Sequence, residues 1–183
     1  MTILQAGIIG LGIGEAHLAG YRQHPDCEVV AICDRNEDKL QEIASRNPGL
    51  RLYSLAEDLL DDPKIDVVSI ASYDEDHFSQ VCRAIVSGKH VFVEKPICQS
   101  VAELSVIRQL LSENPSVRLS TNLILRASPR FIDLHSLITE GALGQIYYLE
   151  ADYNYGRLSK LVDGWRGKQD FYSVVYGGGV HIV

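Results

Sequence analysis

The stretch Ile3-Leu4-Gln5-Ala6-Gly7-Ile8-Ile9-Gly10-Leu11-Gly12-Ile13-Gly14-Glu15-Ala16-His17-Leu18 decides the fold. Its first part, residues 3–10, is apolar almost throughout, as a parallel strand covered on both faces must be. The glycines that follow sit where this strand turns into a helix, expected over residues 15–23. Exposed N–H groups at such a helix start, with the helix dipole behind them, can hold a pyrophosphate, and glycine lets the phosphates approach the backbone closely. The spacing departs from G-x-G-x-x-G, because position 15 is Glu and the third glycine comes early, as Gly14. Taken alone, such a turn is structural about as often as it is phosphate-binding.

The segments around it decide between the two. Apolar runs at 28–34, 51–53, 66–71, 90–94 and 117–125 read as strands, and the segments at 38–46, 56–60, 76–87 and 101–111 read as helices between them. That alternation is the pattern of βαβ units, and the expected fold class is α/β, a doubly wound parallel sheet of Rossmann type. Asp34 ends the second strand about twenty residues beyond Gly12, where a carboxylate can accept hydrogen bonds from an adenosine ribose. For Asp34 alone, a helix cap is the alternative. The glycine turn and the acid together favour dinucleotide binding, with Gly10, Gly12, Ile13, Gly14, Asp34 and the neighbouring Arg35 as the contacting residues.

The dinucleotide domain is expected to cover residues 1–121, and residues 122–183 to begin a second, α+β domain that is incomplete. A helix opens at Ser128-Pro129, with proline at its first position. Phe131, Ile132, Leu134, Leu137 and Ile138 give it an apolar face, and it should close near Gly141. Residues 143–153 read as a longer, half-exposed strand, and the rest is rich in Gly and Tyr.

Composition narrows the function classes. A chain of 183 residues with 46% hydrophobic and 22% charged residues can bury a core, and its formal net charge of -7 argues against a nucleic-acid surface. Cys27, Cys33, Cys82 and Cys98 show no CxxC spacing, so neither a disulfide framework nor a metal site is expected, and a reducing, cytoplasmic setting fits best. No apolar run is long enough to span a membrane.

Four stretches, AGIIGLGIGEAHLAGY (6–21), SIASYDEDHFSQVCRAIVSGKHVFVEKPI (69–97), WR (165–166) and YGGGVHIV (176–183), resemble the Gfo/Idh/MocA family of NAD(P)-dependent oxidoreductases. The most specific part is Gly88-Lys89-His90-Val91-Phe92-Val93-Glu94-Lys95-Pro96. The resemblance implies that Lys95, just past a strand end, reaches the nicotinamide ribose and the substrate hydroxyl. An exposed, salt-bridging lysine is the plain alternative. His17 and His77 match family histidines, with a structural or cofactor-neighbouring role favoured over acid-base work. Glu94 and Asn122 match positions beside the cofactor, whereas Tyr73 stands near the family's usual proline. On the substrate side the resemblance points to Lys95, Arg126, Trp165, Arg166 and His181. For Arg126, a surface arginine at a domain junction carries equal weight. The aspartate that many members carry four residues before this histidine is Gly177 here. His181 therefore either relays a proton or only positions substrate.

The implied activity is hydride transfer between a secondary alcohol, on a sugar, polyol or related small molecule, and NAD, with NADP admitted through Arg35. The alternative is a dinucleotide-binding module without turnover, since family members are about twice this length; a scaffold subunit is a weaker third. A homo-oligomer is allowed by the family's usual pairing through its C-terminal sheet, most of which lies outside this chain.

Overall fold

The computed structural model describes residues 3–154, 156–168 and 172–181. Two compact units divide the chain, Met1–Asn122 and Leu123–Val183.

The first unit is a six-stranded, all-parallel sheet of order β3-β2-β1-β4-β5-β6. Its strands are β1 (Leu4–Ile9), β2 (Cys27–Cys33), β3 (Arg51–Tyr53), β4 (Val67–Ile70), β5 (His90–Val93) and β6 (Leu119–Thr121). Five helices connect them: α1 (Gly14–Arg22), α2 (Glu37–Arg46), α3 (Ala56–Asp61), α4 (Asp74–Val86) and α5 (Val101–Glu113). Neighbouring residues on one strand point to opposite faces. Ile8, Ile32 and Val67 accordingly pack with Leu18 of α1 and Leu40 and Ile43 of α2. Ile9, Val68, Ile70, Val91 and Val93 pack with Leu59 and Leu60 of α3, Val81, Ala84 and Ile85 of α4, and Ile107 of α5. Helices on both faces make the sheet doubly wound, and the strand order reverses between β1 and β4. Such folds bind ligands outside the carboxyl ends of the strands, at that reversal.

Local chemistry sets the helix starts. The Asn36 side chain caps α2 by accepting from the Lys39 backbone N–H at 3.1 Å. Ser100 and Glu103 form a reciprocal capping box at the head of α5. At the opposite edge of the sheet the buried Lys89 donates to the carbonyls of Asp62 and Ile65 at 2.7 and 2.9 Å, tying the entry of β5 to the entry of β4.

Two expectations are corrected. The sixth strand, expected over 117–125, is only Leu119–Thr121. It is an edge strand paired to β5 alone, and its register ends where β5 ends, with Val93 opposite Thr121. Beyond that point there is no ladder to extend, and Ile124–Ala127 wind into a 3-10 turn. The strand expected over 143–153 does not form. Tyr147, Tyr148 and Leu149 lie exposed in irregular backbone. A strand requires a paired neighbour for its backbone groups, and among the described residues this segment has none.

The second unit contains α6 (Pro129–Thr139), α7 (Leu158–Val162), α8 (Val174–Gly177) and short 3-10 turns at Trp165–Lys168 and Gly179–His181. Gly141, at φ 72°, follows the end of α6. The apolar residues of α6 named above remain exposed. Among the described residues, no helix is long and apolar enough to cross a membrane.

Candidate active site

The glycine turn leaves β1 at its carboxyl end. Gly10 has φ +83°, and a Cβ there would lie 2.3 Å from the Ala71 carbonyl oxygen. A Cβ on Gly14 would lie 2.9 Å from Ile8 Cγ2, so the packing of α1 onto β1 calls for glycine there too. Gly12 is different. It is exposed, its φ is not in the left-handed region, and a Cβ would meet nothing within 4 Å. The protein itself makes no demand for glycine at position 12, whereas a phosphate lying against the turn would. The residues present therefore fit a dinucleotide. Next to Gly12 the exposed Ile13 lies at the N-terminal end of α1.

Asp34 straps this turn to the end of β2. One carboxylate oxygen accepts from the Leu11 backbone N–H at 2.7 Å and the other from the Asn36 N–H at 2.9 Å. Each oxygen keeps further acceptor capacity. The helix cap is Asn36, one of the roles open to Asp34 in the sequence. Arg35 turns to α4, where its Nη2 lies 3.0 and 3.1 Å from the two carboxylate oxygens of Asp76.

Beside β4 and β5 a chain of half-buried polar groups, with Ser69 fully buried among them, crosses the same edge. His17, one turn into α1, places Nδ1 2.7 Å from Ser69 Oγ and Nε2 3.1 Å from Glu94 Oε1. Its ring meets Phe92 edge-on at 5.3 Å. The same Glu94 oxygen accepts from Asn122 Nδ2 at 2.6 Å. Burial pushes the Glu94 carboxyl up, but hydrogen bonds from His17 and Asn122, the charge of His17 and the Lys95 backbone N–H outweigh it and hold it below its ordinary range. An ionised Glu94 can only accept, so Nε2–H of His17 and the Asn122 amide both donate to it. Burial also pushes the Tyr21 phenol up to about 12, against the opposing pull of its hydrogen bond to Ser69.

Lys95 follows Glu94 and is joined to Pro96 by a cis peptide. The Pro96 carbonyl oxygen lies 2.7 Å from Nδ1 of His77, whose Nε2 is 3.2 Å from the Ser72 carbonyl oxygen. His77 is fully buried on α4 with both ring nitrogens against backbone carbonyls. It offers no exposed polar atom to a ligand and instead holds the loop after β4 against the loop after β5.

The remaining candidates belong to the second unit. Arg126 is exposed at the end of the 3-10 turn. Arg166 lies over the Trp165 ring at 4.5 Å and the Tyr172 ring at 5.4 Å, and its Nε donates to the Tyr172 hydroxyl at 3.0 Å. A Cβ at position 177 would fall 1.7 Å from that hydroxyl, so an aspartate in place of Gly177 would require Tyr172 to move. His181 ends the last 3-10 turn, half-buried. Sequence reasoning missed Ser69, Asp76 and Tyr172. A lone serine inside the otherwise apolar β4 was the available signal for the first; nothing in the pattern marked the other two. Among the described residues, no group of three or more His, Cys, Asp or Glu side chains could hold a metal ion.

A doubly wound parallel sheet, a glycine turn on its first strand and an acid on its second together define a dinucleotide-binding domain of the Rossmann class. The sequence model of the Gfo/Idh/MocA oxidoreductase family, described as an NAD-binding Rossmann fold, matches residues 4–122. The chain belongs to this family. It is 30% identical over 163 residues, 88% of its length, to an uncharacterized oxidoreductase of Synechocystis, of which it covers 44%. It is 29% identical over 147 residues, 80% of its length, to the myo-inositol 2-dehydrogenase of Thermotoga maritima, again covering 44% of that protein. The chain thus spans less than half the length of these relatives. Among solved structures, scyllo-inositol dehydrogenase from Lactobacillus casei with bound NAD(H) and scyllo-inositol matches the whole chain with a TM-score of 0.84. At 20% identity, covering 54% of that chain, this likeness speaks for the fold.

Proposed function

We propose that the chain carries the cofactor half of a dehydrogenase that moves a hydride between NAD and a secondary alcohol on a polyol or sugar. The observation that carries this reading is the double contact on Glu94. It joins His17, on the helix that opens at the glycine turn, to Asn122 at the end of β6, so the turn and the Lys95 peptide share one sheet edge. The names of the inositol dehydrogenases among the relatives support the substrate class.

In this reading the N–H groups of the turn at Gly12 and Ile13 bind the pyrophosphate, and Asp34 accepts from the adenosine ribose hydroxyls. The nicotinamide, when bound, supplies the hydride acceptor or donor. Lys95 takes the hydroxyl proton as the alcohol is oxidised, returns it in the reverse direction, and as a cation stabilises the developing alkoxide. His77 holds the Pro96 carbonyl and so fixes the peptide that follows Lys95. Trp165, Arg166, Arg126 and His181 are assigned to the substrate side, in a second domain for substrate binding and subunit pairing.

Calorimetric titration with NAD and NADP, followed by a screen of polyols and sugars for nicotinamide reduction, tests the proposal. NAD is expected to bind more tightly, because Asp34 repels a 2′-phosphate and bonds a free 2′-hydroxyl. Tighter binding of NADP would overturn the role given to Asp34, and absence of any dinucleotide binding would overturn the proposal.

A further inference from the structure

The ion pair between Arg35 and Asp76 has a position that its strength alone does not suggest. Arg35 lies two residues past the end of β2, and Asp76 lies in the first turn of α4, which follows β4. In the sheet, β1 stands between β2 and β4. A side-chain pair joining these two connections therefore passes across the carboxyl end of β1, where the glycine turn opens. Asp34, adjacent to Arg35, is the residue to which the adenosine ribose is assigned above, so the pair lies beside the ribose 2′ position.

The charges there can be enumerated. Asp34 is a carboxylate with both oxygens engaged by backbone N–H groups. Arg35 is the cation that could attract a 2′-phosphate, since a guanidinium binds phosphate through two parallel hydrogen bonds. Its Nη2 is shared between both oxygens of Asp76, at 3.0 and 3.1 Å. The side chain of Asp76 is 22% exposed and that of Arg35 70%. The better-fixed partner is the acid on the helix, so the arginine is the group that would have to move. For a 2′-phosphate to recruit Arg35 it must first break this pair, and it then faces two carboxylates.

From this geometry we infer that Asp76 determines cofactor choice: by holding Arg35 against α4 it withholds the guanidinium from a 2′-phosphate and selects NAD over NADP. The inference rests on the dinucleotide reading above and adds a residue to it. Asp76 is a positioning residue, acting through Arg35. A neutral Asp76→Asn side chain would release the guanidinium and remove one of the two repelling charges.

The test is calorimetric titration of the 183-residue chain with NAD and with NADP at low and at physiological salt. The parent, Asp76→Asn, Asp76→Glu and the double variant Arg35→Gln/Asp76→Asn are compared, with circular dichroism to verify folding. Asp76→Asn is expected to lower the ratio of the NADP to the NAD dissociation constant about fivefold, the upper end for an exposed ion pair. Salt should narrow the change. Asp76→Glu should return the ratio to that of the parent, and the double variant should lose the gain. A folded Asp76→Asn chain with an unmoved ratio would overturn the inference and leave the dinucleotide reading standing. So would a gain that persists without Arg35, which would show simple removal of a like charge. If the parent binds neither dinucleotide, the cofactor reading falls and this inference falls with it.

Discussion

Replacing Gly12 with alanine separates what the fold requires from what a ligand requires. In the folded chain the added methyl would meet nothing within 4 Å, and the backbone at Gly12 is outside the left-handed region. The folded state therefore accepts alanine without strain, while the unfolded chain loses conformational freedom. The balance is a gain of about 0.4–1 kcal/mol, which for a domain of this size raises Tm by about 1–4 °C. Binding should move the other way. If the methyl holds a phosphate off the turn, one charge-assisted N–H bond of about 1.5–3 kcal/mol is lost, which weakens NAD about 10- to 100-fold. Gly10→Ala is the contrast. Its Cβ would fall 2.3 Å from the Ala71 oxygen at a φ of +83°. The backbone term alone costs about 1–2 kcal/mol, and relief of the clash about 1–3 kcal/mol more. That is a large part of the roughly 5–15 kcal/mol that holds a domain together. Thermal melts and calorimetric titrations on both variants read the two effects separately. A fall in Tm for Gly12→Ala comparable to that of Gly10→Ala, or unchanged NAD affinity in Gly12→Ala, would refute the reasoning.

In a catalytically competent longer form of the protein, Lys95→Ala should lower dehydrogenase kcat by about 10²- to 10⁴-fold while leaving NAD affinity nearly intact; Lys95→Arg should fail as well, because a guanidinium keeps its proton. Steady-state kinetics beside calorimetry decides, and near-parental turnover in Lys95→Ala would make the lysine a surface residue. Glu94 is held below its ordinary value of 4.5 in the folded chain, so its contribution to stability is present above that pH and is lost as pH falls through the depressed value. Glu94→Gln should cost about 1–3 kcal/mol at neutral pH and flatten the acid limb of the stability profile, measured by urea melts across pH. Lys89→Met, which leaves the Asp62 and Ile65 carbonyls without their shared donor, should cost about 2–4 kcal/mol in the same assay with no change in dinucleotide affinity. Parental stability in that variant would show that water replaces the ammonium.

The local pattern of this sequence was enough to determine the class of fold. Apolar runs bounded by glycines and amphipathic stretches alternate closely enough that a parallel, doubly wound sheet is the arrangement that covers all of them, and β3 was legible to the residue. The glycine turn after β1 and the place of Asp34 at the end of β2 were legible for a related reason, whereas Glu94-Lys95-Pro96 was singled out by its family resemblance. The turn and the acid each follow an apolar run that marks its own strand. What each group touches was not legible, because the partners come from distant parts of the chain. His17 meets Ser69 from 52 residues away and Glu94 from 77, and Arg35 meets Asp76 from 41. Strand ends were equally out of reach, since β6 stops where its neighbour stops, and residues 143–153 have strand-like residues but no neighbour to pair with among those described. Periodicity follows from the order of side chains along one segment. Pairing, the difference between Gly10 and Gly12, and the fate of Arg35 were decided only when the sheet brought those segments to a common edge.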